Sequence, residues 1–160
     1  MNISPSSDQA VRDKNKALFI RMLGHLGRKE FDEFEACLAP DMVQEWPYRP
    51  VPNMPSSLVG NRALRTLIER GTAPFDPYAY EIESMHDLLD SNTLIAEYSS
   101  HSFYHPTNKP YSNTYLSIIR FVDDKIVYWR EYVNPLVIKE ALLDDFTKPV
   151  SADPNMDEPQ

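Results

Sequence analysis

From Tyr78 to Val133 only three short interruptions divide the chain, leaving four long stretches patterned for extended structure. The stretches are 78–89, 93–104, 111–122 and 125–133. The breaks are Asp90-Ser91-Asn92, the proline-bounded segment 105–110, and Asp123-Asp124. Parallel neighbours need a crossover of a dozen or more residues, so connections this short make consecutive strands antiparallel. Aspartate tolerates left-handed backbone geometry, and Asp123-Asp124 therefore reads as a tight hairpin turn.

Upstream the periodicity is helical. Ser6-Ser7-Asp8-Gln9 has the spacing of a capping box, and Val11, Leu18, Phe19, Met22, Leu23 and Leu26 recur on one helical face before Gly27. A shorter helix is expected over 29–38, with Phe31, Phe34 and Leu38 on one side and Ala39-Pro40 as its end. A strand over 42–48 leads into Pro47–Pro55, where four prolines in nine residues make a stiff loop or a sheet edge. A third helix is expected over 61–70, with Ala63, Leu64, Leu67 and Ile68 inward and Gly71 just past its end. A last short helix spans about 135–143. Helices followed by a run of antiparallel strands define an α+β class. A long curved sheet covered by three N-terminal helices makes a cone with a pocket inside. The expected layout is a flexible N-terminus over 1–7, one domain over 8–146 and a disordered acidic tail over 147–160.

Composition narrows the function. At 160 residues, 42% of them apolar, the chain suits one globular domain with a real core. Its formal net charge of −8, with no block rich in lysine and arginine, argues against nucleic acid and against an anionic membrane surface. Cys37, the only cysteine, allows no disulfide within the chain and no thiolate metal cluster, and reads as a small buried side chain. The N-terminus lacks the pattern of a secretory signal and no apolar window is long enough to span a bilayer, so a soluble, cytoplasmic protein is expected. With four glycines a phosphate-cradling loop is not expected, and no HExxH, GxSxG or CxxC motif appears. The histidines lack metal-ligand spacing, so neither metal nor cofactor is expected.

Acid–base chemistry is what the residues leave. In the last strand, Ile126, Tyr128, Arg130 and Tyr132 share one face, and Val127, Trp129, Glu131 and Val133 the other. The second face is apolar except for one carboxylate. Desolvation raises a carboxyl pKa toward neutrality and makes Glu131 a usable proton shuttle, unless an arginine or tyrosine from a neighbouring strand simply fixes it. Arg130, on the other face, reads as an interface or surface guanidinium stacked on Tyr128 and Tyr132. His101, mid-strand, is either a second acid–base group or a hydrogen-bonded core histidine. Asn113 and Tyr115 share a face of the strand before the last, where they could donate to a developing oxyanion or hold Glu131 in place. Trp46, Tyr48 and Trp129 could line a substrate pocket, or serve as plain core.

The order of segments, together with FVDDKIVYWREYVNP (121–135), resembles the SnoaL-like branch of the nuclear-transport-factor-2-like superfamily. Arg130-Glu131-Tyr132-Val133-Asn134-Pro135, with Asn113 and Tyr115 in the strand before it, looks most like the phenazine-biosynthesis A/B proteins and ketosteroid-isomerase-related proteins. The likeness covers about Asp8 to Leu143. It implies a cone-shaped cystatin-like α+β barrel, a homodimer, an apolar pocket and an acid–base glutamate at Glu131. On the third helix, where the phenazine proteins carry a histidine, this chain offers Asn61, Arg62, Arg65 and Glu69. The expected function is a small cofactor-independent enzyme of isomerase, cyclase or condensation type. Its substrate would be an apolar or aromatic carbonyl compound of secondary metabolism. The alternative is a non-catalytic ligand-binding or scaffold protein of the same fold. An epoxide hydrolase would want an Asp-Arg-Asp relay that these strands do not display.

Overall fold

A computed structural model of the chain describes residues 5–149. Its elements in order are α1 (Pro5–Gly27), α2 (Phe31–Ala36), β1 (Leu38–Glu45), β2 (Ser57–Val59), α3 (Asn61–Thr72), β3 (Ala79–Asp87), β4 (Thr93–Tyr104), β5 (Lys109–Val122), β6 (Lys125–Val133) and α4 (Pro135–Leu142), followed by a 3-10 turn over Leu143–Thr147. The helix expected from Ser6 already begins at Pro5, a position where the missing N–H costs nothing. The first four residues of the expected flexible N-terminus, and the expected tail from residue 150 on, lie outside the described residues.

The six strands form one curved, unclosed sheet in the order β2-β1-β6-β5-β4-β3. The class is α+β, as expected, but the sheet is mixed. β3 to β6 make an antiparallel meander, whereas β1 runs parallel to β6, the segment between them including α3 and four strands. Asp123 and Asp124 both have positive φ, 47° and 61°, and close the β5–β6 hairpin. Ala39-Pro40 does not end a helix. It lies inside β1, between the pairs Leu38–Ile126 and Val43–Tyr128, where the register with β6 shifts. A proline is tolerated there because it owes the ladder no hydrogen bond.

The β6 register shifts too. Arg120 faces Tyr128 and Phe121 faces Ile126, so Val127 is an extra, bulged residue. The bulge resets the alternation, and Ile126 and Trp129 are both buried in the main core. Ile126 is therefore not on the Tyr128 face. On that outer face Tyr128 donates to Glu45 Oε2 (2.6 Å) and Arg130 forms a bond to the same oxygen from Nε (2.7 Å) and an ion pair from Nη2 (2.7 Å). The Arg120 guanidinium lies 4.7 Å from the Tyr128 ring centre.

Two apolar clusters flank an internal space. The larger packs Phe19, Met22 and Leu23 of α1 against Tyr98, Ile119 and Trp129 of the sheet. The smaller joins Val51, Phe75, Tyr104, Tyr111, Val133 and Ile138. Two fastenings set α1 over the sheet. Buried Asn15 donates from Nδ2 to Ser91 O (3.1 Å) and Asn92 Oδ1 (3.3 Å) in the β3–β4 turn. At its other end Gly27 O accepts from Tyr78 N (2.9 Å), an approach so close that a Cβ on Gly27 would stand 2.3 Å from Tyr78 O.

Candidate active site

The space between the clusters is a cavity of about 580 Å³, walled by the inner face of the sheet and roofed by α3, the proline loop and α4. Inward positions of adjacent strands supply the polar groups of its wall. On β6 these are Trp129 and Glu131, on β5 Tyr111 and Tyr115, on β3 Tyr80 and on β1 Gln44. Strand alternation selects them: β5 turns Tyr111, Asn113, Tyr115 and Ser117 to one side, so an unusually polar row faces inward.

Glu131 is enclosed by protein. The partial surface it keeps is cavity wall, and no lysine, arginine or histidine among the described residues forms an ion pair with it. Burial drives its pKa up from 4.5 to about 7, against the opposing pull of hydrogen bonds from Tyr98 and Trp46. Tyr98 donates to Glu131 Oε2 at 2.5 Å and lies 2.8 Å from Ser117 Oγ, which accepts from the Trp129 indole at 2.9 Å. Each hydroxyl has one proton. With that of Tyr98 committed to the carboxylate, the Ser117 proton must point to Tyr98. While Glu131 is ionised the direction is fixed: Trp129 to Ser117, Ser117 to Tyr98, Tyr98 to Glu131.

The remaining phenols stay protonated near neutral pH, because burial pushes Tyr78, Tyr80 and Tyr115 well above 10. Tyr115 shares a hydrogen bond with Ser100 Oγ (2.8 Å) and a longer one with Tyr111 (3.3 Å), and stacks on Tyr98 with ring centres 5.0 Å apart. Tyr80 lines the cavity, feels the Glu131 charge, and makes no hydrogen bond through its hydroxyl to another described residue. Its O–H is available to a ligand.

Of the residues expected at the site, Glu131, Tyr115, Trp46 and Trp129 converge on the cavity. Three do not. His101 is exposed on the outer face, bonded through Nδ1 to Ser112 Oγ (2.8 Å), since the inward set of β4 is Leu94, Ala96, Tyr98 and Ser100. Asn113 is buried with both amide hydrogens occupied, by Tyr111 Oη (2.9 Å) and Asn134 O (3.0 Å), so it holds strands together and cannot polarise a carbonyl. Tyr48 is 61% exposed and meets the Tyr132 ring edge-on, whereas Val51 and Met54 of the proline loop line the cavity. The residues not anticipated are Tyr98, Ser117, Tyr80 and Gln44. Tyr98 had a signal, because it shares parity with Leu94 and Ala96, the most apolar face of its strand.

The family model of the SnoaL-like domain matches residues 19–129. The uncharacterized protein YesE of Bacillus subtilis (strain 168) is 29% identical over 121 residues, which are 76% of this chain and 82% of that protein. A crystal structure of a Bacillus subtilis protein, provisionally called an isomerase, superposes with a TM-score of 0.77 at 27% identity, covering 85% of this chain and 97% of that one. An LEH-like epoxide hydrolase of M. tuberculosis shares the fold, with a TM-score of 0.65 at 20% identity over 82% of this chain and 86% of its own.

Proposed function

The chain belongs to the SnoaL-like domain family, and within that fold we propose a cofactor-independent enzyme in which Glu131 relays a proton on a carbonyl compound. The observation that carries the reading is a carboxyl enclosed on the wall of an apolar cavity with no ion-pair partner among the described residues, a burial that pushes its pKa up to about 7. Such a group is a substantial fraction ionised at neutral pH and a substantial fraction protonated, which suits both halves of a proton relay.

The step needs no co-reactant. Ionised Glu131 takes a proton from the carbon next to the carbonyl; the electron pair of that C–H bond becomes a C=C bond, and the carbonyl π pair moves to the oxygen. Tyr80, with its free O–H, donates to the oxygen as negative charge develops there. Protonated Glu131 then returns the proton to the same carbon or to a conjugated one, which exchanges or isomerises the substrate. If the enolate carbon attacks a second carbonyl in the same molecule instead, a C–C bond forms, protonated Glu131 gives its proton to the new alkoxide oxygen, and the outcome is cyclisation. Small aromatic or polyketide-like carbonyl compounds fit the cavity's lining, and secondary metabolism is where such substrates arise. The isomerase name of the Bacillus subtilis relative belongs to that protein and is compatible with this step.

The test uses deuterium exchange at the acidic methylene of 2-tetralone, followed by proton NMR in D2O. The wild-type protein should accelerate exchange, and Glu131→Gln should lose at least about a hundredfold, within the usual range of general-base catalysis, while keeping its fold and ligand affinity. Equal exchange by the mutant would end the proposal. One feature favours a binding-only reading: the chain from Trp129 through Ser117 to Tyr98 tethers the carboxylate. A purely structural tether predicts that Glu131 titrates below its ordinary value of about 4.3, which carboxyl-carbon NMR would reveal.

A further inference from the structure

Gln44 is the most deeply buried polar side chain on the cavity wall, 1% exposed, and nothing in the proton relay uses it. Its amide Nε2 reaches only Glu45 O, at 3.4 Å, while Oε1 has no hydrogen-bond partner among the described residues. A buried acceptor left unpaired is destabilising, because the water it lost on folding has not been replaced. The cost persists unless something brings a donor to it. The neighbours bring none: Gln44 pairs with Trp129 across the β1–β6 ladder, and the Trp129 indole N–H is already given to Ser117. Leu26, Leu67 and Ile68, which share the cavity wall, carry no side-chain donor.

We infer that Gln44 Oε1 is the acceptor for a hydroxyl or N–H group of the ligand. The cavity thereby selects carbonyl compounds that carry such a donor, hydroxylated aromatic or enolic ones, over purely hydrocarbon analogues. The spacing agrees with a compact ring system. Trp129, the strand neighbour of Gln44, stands two residues from Glu131 on the same face, roughly 7 Å along the strand. A donor at Gln44 then leaves the reacting carbon of the same ligand near Glu131. The amide torsion of glutamine is broad, so Oε1 can turn to meet the incoming group. The inference rests on reading the cavity as a ligand site, and is independent of proton transfer by Glu131.

Binding of 2-naphthol and its isostere 2-methylnaphthalene, followed by tryptophan fluorescence or calorimetry, tests it. In wild-type protein the ratio of the two dissociation constants should favour the naphthol. In Gln44→Met, which keeps the length and removes the acceptor, that ratio should fall about tenfold, one buried hydrogen bond's worth. Glu131→Gln should leave it unchanged. Gln44→Met should also melt at or above the wild-type temperature, because an orphaned polar group has gone, with Gln44→Leu as the second variant. An unchanged ratio in the Gln44 variants, or a ratio lost in Glu131→Gln instead, overturns the proposal. So does a wild type that binds the two probes alike or binds neither. Loss of folding in both Gln44 variants would mean that Oε1 is satisfied in the native protein, and overturns it as well. Failure of the exchange assay alone bears on Glu131 and leaves Gln44 standing.

Discussion

At the scale of single residues, two opposed effects set the pKa of Glu131. Desolvation favours the neutral acid, whereas the Tyr98 and Trp46 donors favour the carboxylate. Tyr98→Phe removes one donor and keeps the ring that stacks on Tyr115 and meets Phe19 edge-on. The Glu131 pKa should then climb above about 7, by about one unit for one charge-assisted hydrogen bond. If Glu131 is the base, as proposed, the exchange rate rises with pH through its pKa. The midpoint of the pH–rate profile in Tyr98→Phe should therefore move to higher pH, and an unmoved midpoint would show that the tether does not tune the acid. The carboxylate itself was legible in the sequence, because strand parity isolates it among Trp129 and Val133. Its donor was legible only in part: Leu94 and Ala96 mark the more apolar face of the 93–104 segment, and Tyr98 shares their parity. The polar and histidine-bearing face attracted the acid–base expectation, but the apolar face won the interior and took Tyr98 with it.

At the scale of elements, the junction of α1 with the start of β3 is where a glycine of this chain is most closely approached. The Gly27 backbone lies against that of Tyr78, and the next side chain met is the ring of Tyr80, 3.1 Å from a Cβ built on Gly27. Gly27→Ala must push helix and strand apart. A loss of roughly 2–4 kcal/mol is expected in urea denaturation, more than helix propensity could return. Because Tyr80 sits at that junction, ligand affinity should fall as well. A substitution without effect on either would contradict the packing described. Element boundaries were legible where turn chemistry is local: 93–104 and 125–133 emerge as β4 and β6 without a shift. They were not legible where tertiary pairing overrides local signals. Pro40 looks like a helix stop yet sits in β1, and the bulge at Val127 rotates Ile126 into the core. β2 is three residues long and owes its existence to β1, so no periodicity could announce it.

At the scale of the whole molecule, folding buries an acid that would rather hold its proton. Below pH 4.5 Glu131 is protonated in both folded and unfolded chains and contributes no slope. Between 4.5 and about 7 the folded chain keeps the proton that the unfolded chain releases, so stability declines as pH rises. Above about 7 the penalty is complete, on the order of 3 kcal/mol. Glu131→Gln should erase that decline. Urea denaturation at pH 4.5 and pH 8 should therefore separate wild type from mutant mainly at the higher pH, with the mutant the more stable. Parallel curves would place the carboxyl in a wetter setting than the cavity wall. An α+β class with helices over one face was accessible from segment order, but the parallel seam between β1 and β6 was not, since it depends on pairings across 85 to 88 positions of chain.

The same unclosed sheet leaves two margins whose backbone groups could template another chain. One is β2, too short to template much. The other, β3, kinks between Ile82 and Ser84 and carries exposed Glu81 and Glu83 beside the kink. Carboxylates and a break in pleat repel any incoming strand, so a protein built around a hollow can remain discrete when crowded.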